Sequence, residues 1–205
     1  MKEITESFKT ALKRLLKKEA GWVNDPDDRG GETYKGIARN FYLQWEGWKI
    51  IDSIKKEIYF PENPSKKDIK KLNSILESDE RVNEAVQKFY KEKYWDPMHG
   101  DELDPKIASK LFGFAVNSGT GKTAVKYLQR AMNYLNRNGK DFPDLVNDGI
   151  WGQKTKNAYN ILKRQKVLDI LLQVIKCLQC SHYLKLMDKN EKYEKYRGWF
   201  RRIDD

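Results

Sequence analysis

Glu19 carries the most chemistry in this 205-residue chain. The apolar positions before it, Ile4, Phe8, Ala11, Leu12, Leu15 and Leu16, recur as one helical stripe. Lys13, Arg14, Lys17 and Lys18 lie off that stripe, whereas Glu19, one turn past Leu15, continues it. A carboxyl on an apolar face is costly unless it is paired, protonated or used. Gly21 is the expected helix stop, which places Glu19 in the last turn at the negative end of the helix dipole. Dipole and partial burial both disfavour the carboxylate, with Lys17 and Lys18 as a weak opposing influence, so a general acid is expected here. The plainer alternative is a boundary residue whose head group reaches water or an arginine.

The next residues add to this. Asn24, Asp25, Pro26, Asp27, Asp28, Gly30 and Gly31 form a turn cluster, followed by Thr33. The Gly30-Gly31 pair permits a tight reversal, as in a small β-hairpin. Such a fold-back sets Asp28 and Thr33 opposite the helix end, giving an acid, a second carboxylate and a hydroxyl. Two carboxyls flanking a cleft are the usual equipment for glycosidic bond hydrolysis. A calcium loop is the rival for the aspartates, but the EF-hand ligand spacing is absent.

The elements that must position these residues read as mainly α, with one small β-hairpin near Glu19. A short helix is expected between Tyr34 and Trp45 after Gly36, then an aromatic connection with Gly47 and Trp48. Residues 61–68 read as a loop that starts a helix, capped by Ser65. A helix follows from Asp79 to Tyr94, stopped by Trp95-Asp96-Pro97. Asp104 caps another that begins at Pro105. Gly119-Thr120-Gly121-Lys122-Thr123 superficially suggests a phosphate loop, but Val116 stands where its first glycine is needed and no strand precedes it. It reads as a turn between helices capped by Thr120 or Thr123. Val167 to Leu178 is apolar on nearly every face, which predicts a central, covered helix. The segment Tyr196-Arg197-Gly198-Trp199-Phe200-Arg201-Arg202 is basic and aromatic.

Composition narrows the classes. Forty basic against thirty acidic residues leave a net charge of +10, which draws the chain to polyanions such as an acidic cell wall. No nucleic-acid-binding pattern accompanies that charge, so nucleic acid is not an expected partner. No apolar run approaches a membrane span, and no signal-peptide core opens the chain. Synthesis in the cytoplasm and action in the periplasm or at the wall are expected, with a holin or export channel for release. Cys177 and Cys180 read as reduced core residues; no metal site and no cofactor are expected.

The run Glu19-Ala20-Gly21-Trp22-Val23-Asn24-Asp25-Pro26-Asp27-Asp28-Arg29-Gly30-Gly31-Glu32-Thr33, with Gly36-Ile37 after it, resembles the signature of glycoside hydrolase family 108. These are bacterial and phage N-acetylmuramidases, often described as secretion activators. The second half resembles the peptidoglycan-binding module that accompanies that family. The matching residues are Phe114-Ala115-Val116-Asn117-Ser118-Gly119, Leu128-Gln129-Arg130-Ala131, Asp148-Gly149-Ile150-Trp151-Gly152 with Thr155, and Gly198-Trp199 with Arg201 and Arg202.

The resemblance implies a lysozyme-like helical fold and cleavage of the β-1,4 bond between N-acetylmuramic acid and N-acetylglucosamine. It implies a hydrolase part at residues 1–100 and a peptidoglycan-binding part at 101–205, packed as one unit, and a monomer. Glu19 becomes the catalytic acid, with Asp28 and Thr33 completing a trio known from phage-type lysozymes; Asp25 competes as second carboxylate. Ala20 departs from the family's usual glycine. Trp22, Tyr34 and Trp48 are candidates to stack on sugars, with core packing as the alternative. A lytic transglycosylase using the lone glutamate and a non-catalytic wall binder are the rival readings, and prophage lysin, housekeeping wall enzyme and secretion accessory are the alternative roles.

Overall fold

The structure, a computed structural model, describes residues 4–17, 19–25 and 27–203. Lys18, assigned to the solvated helix face, and Pro26, assigned to the turn cluster, lie outside the described residues. The chain divides into two compact units: Leu12–Glu92, and Met1–Ala11 joined with Lys93–Asp205. The architecture is mainly α with a small antiparallel sheet, a lysozyme-like fold.

Helix α1 spans Glu6–Leu16 and buries Phe8, Ala11 and Leu12. It stops earlier than the stripe predicts. The Lys17 N–H still reaches the Lys13 carbonyl at 3.2 Å, but the Glu19 N–H turns back to Leu16 at 3.2 Å. Glu19 therefore lies beyond the helix, on a tight turn, and not in its last turn.

In the Leu12–Glu92 unit, three two-residue strands pair in sequence order: β1 (Trp22–Val23), β2 (Thr33–Tyr34) and β3 (Ile37–Ala38). Tyr34 pairs with Ile37, so Lys35 and Gly36 are the whole loop between β2 and β3. Both have positive φ, 44° and 78°, as a two-residue hairpin turn demands. The tight reversal is here. Gly30 and Gly31 sit instead within the wider loop joining β1 to β2.

The short helix expected between Tyr34 and Trp45 is replaced by β3 and turns. Helix α2 begins at Glu46 and runs to Glu57, taking in Gly47 and Trp48 and burying Ile51 and Ile54. The expected helix failed because the Lys35–Gly36 turn commits the following residues to strand pairing. Helix α3, Lys66–Ser78, starts at Ser65 in a full capping box with Asp68. Helix α4, Glu80–Tyr90, is capped by Asp79 and buries Val82, Ala85, Val86 and Tyr90. Helix α4 packs against α2 and α3, and α3 packs on β1.

In the other unit, Phe8, Trp95 and Phe112 meet edge to face, with centroids 5.4–6.0 Å apart. Helix α5, Pro105–Ser118, is capped by Asp104, which accepts the Lys106 N–H at 2.9 Å. Thr120 caps α6, Gly121–Asn133, so the Gly-Lys-Thr run is a first helical turn. Helices α7 (Gln153–Arg164) and α8 (Leu168–Lys189) follow, then a 3₁₀ segment, Glu191–Ile203. Helix α8 is not covered on all sides as its composition predicts. It buries Leu171, Ile175, Leu178 and Tyr183 but leaves Ile170 and Leu184 nearly half exposed. Cys177 is exposed and Cys180 half-buried, both free, so Cys177 is not a core residue.

Candidate active site

The segment after α1 is held from two sides. Asn73 on α3 clasps the Trp22 backbone: its Oδ1 accepts the Trp22 N–H at 2.5 Å and its Nδ2 donates to the Trp22 carbonyl at 3.4 Å. The Asn73 carboxamide fills the space a side chain at Gly21 would need. Gly21 is thus required for this close approach and not as a helix stop.

Across from it, the Glu19 carboxyl, half-buried, lies against the Lys35–Gly36 turn. A Cβ on Gly36 would stand 3.0 Å from Glu19 Oε2 and 3.0 Å from the Tyr90 hydroxyl oxygen. Tyr90 donates its hydroxyl to the Lys35 carbonyl at 2.7 Å, which fixes the turn against α4. Burial, and then the nearby Glu19 carboxylate, push the Tyr90 hydroxyl well above the usual tyrosine range. Tyr90 is therefore a neutral donor beside the acid. It extends the Val82–Val86 stripe by one helical turn, so its inward face is legible in sequence although its partner is not.

The acidic loop folds on its own backbone. Asp25 accepts the Asp27 N–H through Oδ1 at 2.9 Å, and Asp28 accepts the Gly30 N–H through Oδ1 at 2.9 Å. The Asp28 N–H reaches the Asp25 carbonyl at 3.0 Å and the Gly31 N–H reaches the Asp28 carbonyl at 2.9 Å. Both carboxylates are exposed. Thr33, half-buried on β2, donates its hydroxyl to the Gly31 carbonyl at 3.1 Å.

Trp22, Tyr34 and Trp48 are core residues, 3%, 0% and 2% exposed, so no sugar can stack on them in this arrangement. The Trp22 indole N–H donates to Glu32 and its ring meets Phe60 edge to face. The Trp48 indole N–H donates to the Tyr42 carbonyl at 3.1 Å. Their helical and strand positions simply face inward. The exposed aromatic beside the acidic loop is Phe41, 66% exposed, whose ring edge lies near Gly30. Its sequence context is a plain turn and gives no signal of this.

Glu32, one residue before Thr33, anchors the sheet. It pairs with Lys55 on α2 and with Arg39 Nε at 2.7 Å, while Arg39 makes a two-pronged contact with Asp52 at 2.6 and 3.0 Å. Arg39 also stacks over Trp48, 4.5 Å from the ring centre. Glu32 is 7 residues from Arg39 and 23 from Lys55, and Arg39 is 13 from Asp52, and no spacing rule links them.

In the other unit the buried Gln129 organises the Asp148–Gly152 run. Its Nε2 lies within 2.9–3.1 Å of Asp148 Oδ1, the Ile150 carbonyl and Thr155 Oγ1, and its Oε1 accepts the Gly149 N–H at 2.9 Å. The separated residues Gln129, Asp148, Ile150 and Thr155 are one hydrogen-bonded knot. Among the described residues, no three His, Cys, Asp or Glu side chains gather as metal ligands, and no helix is long and apolar enough to cross a membrane.

Residues 12–119 match the family model described as glycosyl hydrolase 108, and residues 123–204 match one described as Predicted Peptidoglycan domain. No curated protein matches the sequence. Among solved structures, SagA of Brucella abortus is similar in fold, with a TM-score of 0.53 at 22% identity over 97% of this chain and 90% of that one. The acid-bearing turn, the small sheet and the Gln129 knot thus lie within two matched families, and the chain belongs to glycosyl hydrolase family 108, as a peptidoglycan hydrolase with a peptidoglycan-binding domain.

Proposed function

We propose that this glycoside hydrolase is an N-acetylmuramidase that cleaves the β-1,4 bond between N-acetylmuramic acid and N-acetylglucosamine. Glu19 gives its proton to the glycosidic oxygen as the C1–O bond breaks. Asp28 stabilises the oxocarbenium-like sugar or steers water to it, with Asp25 as the competing carboxylate. Thr33 orients that water; the water oxygen bonds to C1 and its proton passes to a carboxylate, Asp28 or Glu19, leaving a reducing muramic end. Phe41 offers the open aromatic face that Trp22, Tyr34 and Trp48 do not.

The observation that carries this reading is the seat of Glu19. A half-buried carboxyl lies against the glycine of the Lys35–Gly36 turn, beside a neutral tyrosine hydroxyl. The family match supports the reaction class. Clearing of purified peptidoglycan by the protein and by Glu19→Gln, with mass spectrometry of the fragments, tests it. Loss of clearing in Glu19→Gln and reducing muramic ends from the unmodified protein are expected. Equal clearing by both removes Glu19 from the mechanism, and 1,6-anhydromuramic ends make the protein a lytic transglycosylase.

A further inference from the structure

We propose that a cavity at the C-terminal end of α5 binds the terminal carboxylate of a short peptide ending in a small residue. The cavity measures about 110 Å³ and opens between α5, the later turns of α8 and the C-terminal 3₁₀ segment. Phe114, Tyr183 and Trp199 give it aromatic walls; Asn117, His182 and Arg202 supply its polar side. Phe114 and Asn117 lie 85 residues from Trp199 and Arg202, and the two pairs meet at this cavity.

The cation is built in from both ends. The buried Lys110 ammonium donates to the Arg202 and Ile203 carbonyls, fixing the backbone of the segment. Arg202 Nη1 donates to Asn117 Oδ1 at 2.6 Å, and Asn117 Nδ2 is held by the Gly113 carbonyl at 2.8 Å. This leaves most of the five guanidinium N–H donors of Arg202 for a ligand. Among the described residues none of the ion pairs involves Arg202. Burial lowers the His182 pKa, so His182 adds no second charge near neutrality.

A fixed guanidinium with free donors favours a carboxylate, which it meets through paired, charge-assisted hydrogen bonds. Aromatic walls favour an apolar group next to that carboxylate. An engineered cavity of about 150 Å³ holds benzene, so this smaller one suits a methyl and a carboxylate and excludes a pyranose with its acetamido arm. The rest of the peptide extends through the open side. Naming the ligand a wall stem peptide ending in alanine rests on the peptidoglycan reading above; the carboxylate preference rests on the cavity alone.

The test uses the full chain, following the Trp199 indole N–H by NMR during titration. The probes are D-alanyl-D-alanine, its C-terminal amide and chitobiose. The dipeptide is expected to shift the Trp199 signal, and the amide to bind about tenfold or more weakly, since it cannot make the charged pair. Chitobiose is expected to leave the signal in place. Arg202→Gln should weaken dipeptide binding by about tenfold or more, and Glu19→Gln should not change it. Equal binding of the amide, or no shift by about 10 mM dipeptide, overturns the proposal without needing any variant. Dipeptide binding without wall cleavage would sink only the muramidase reading, and cleavage without dipeptide binding would sink only this one.

Discussion

Glu19 and Tyr90 close on the same point, the missing Cβ of Gly36, which would lie 3.0 Å from an oxygen of each. The acid, the turn and α4 are thereby locked together. Glu19, beyond the end of α1, lies against a glycine 17 residues ahead of it and near a tyrosine on α4.

Gly36→Ala tests this lock. The residue has φ of 78°, so any side chain is strained there by about 1–3 kcal/mol. The new methyl also pushes directly on the acid. Wall clearing is expected to fall by about 10²-fold, with a lowered melting temperature. Glu19→Gln, by contrast, should lose clearing with little change in melting. Full activity in Gly36→Ala would show that the carboxyl can work from another position.

Phe41→Ala separates the open aromatic from the buried ones. Phe41 is largely exposed, so its removal should change stability by less than about 0.5 kcal/mol. The apparent KM for wall fragments should rise about threefold to tenfold, with kcat little altered. Trp22→Ala empties a core position and should cost about 3–5 kcal/mol in denaturant unfolding.

Tyr34→Phe addresses a hydroxyl that is buried without a hydrogen-bond partner among the described residues. Its loss should be neutral or stabilising by about 1 kcal/mol, and wall clearing should be unchanged. Burial first, then Glu77 and Asp79, raise the folded-state pKa of Tyr34. A raised pKa means that the folded state keeps its proton longer than the unfolded chain, whose tyrosines titrate near 10. This contribution is whole below about pH 10 and is lost as pH climbs through the folded value. Denaturant midpoints at about pH 8 and about pH 11 should therefore fall less in Tyr34→Phe than in the unmodified protein.

Gln129→Ala should unfasten the Asp148–Gly152 run. It strands the Gly149 N–H and several acceptors, at a cost of about 2–4 kcal/mol. Retention on insoluble peptidoglycan should drop with it. Hydrogen bonds from Gln129, and then from the Ile150 backbone, lower the Asp148 pKa. A depressed carboxylate stabilises the fold above its unfolded pKa, near 3.9, and that stability is lost as pH falls through the lower folded value. Asp148→Asn should flatten the acid limb of a stability profile below about pH 4.

Glu32→Ala removes the acid shared by Arg39, Lys55 and the Trp22 indole. The group is only slightly exposed, so the loss should be about 2–3 kcal/mol, less than for a fully buried pair because Arg39 keeps Asp52. Unfolding by denaturant checks it. A change under about 0.5 kcal/mol would mean that the network is solvent-screened.

The sequence by itself determined the helices that carry their own signals. Ser65, Asp79, Asp104 and Thr120 each cap the helix that follows, because a cap is a contact between residues two or three apart. It also delivered the family, through a run in which Glu19, the acidic turn and Thr33 keep fixed spacing. The end of α1 and the fate of the stretch after Gly36 were decided elsewhere. Asn73 and Tyr90, 51 and 55 residues from their backbone partners, hold β1 and the Lys35–Gly36 turn. The burial of Trp22, Tyr34 and Trp48, and the meeting of Asn117 with Arg202 across 85 residues, were likewise settled only in three dimensions. Composition says that such groups need partners, but which partner comes within 3 Å depends on how the helices pack.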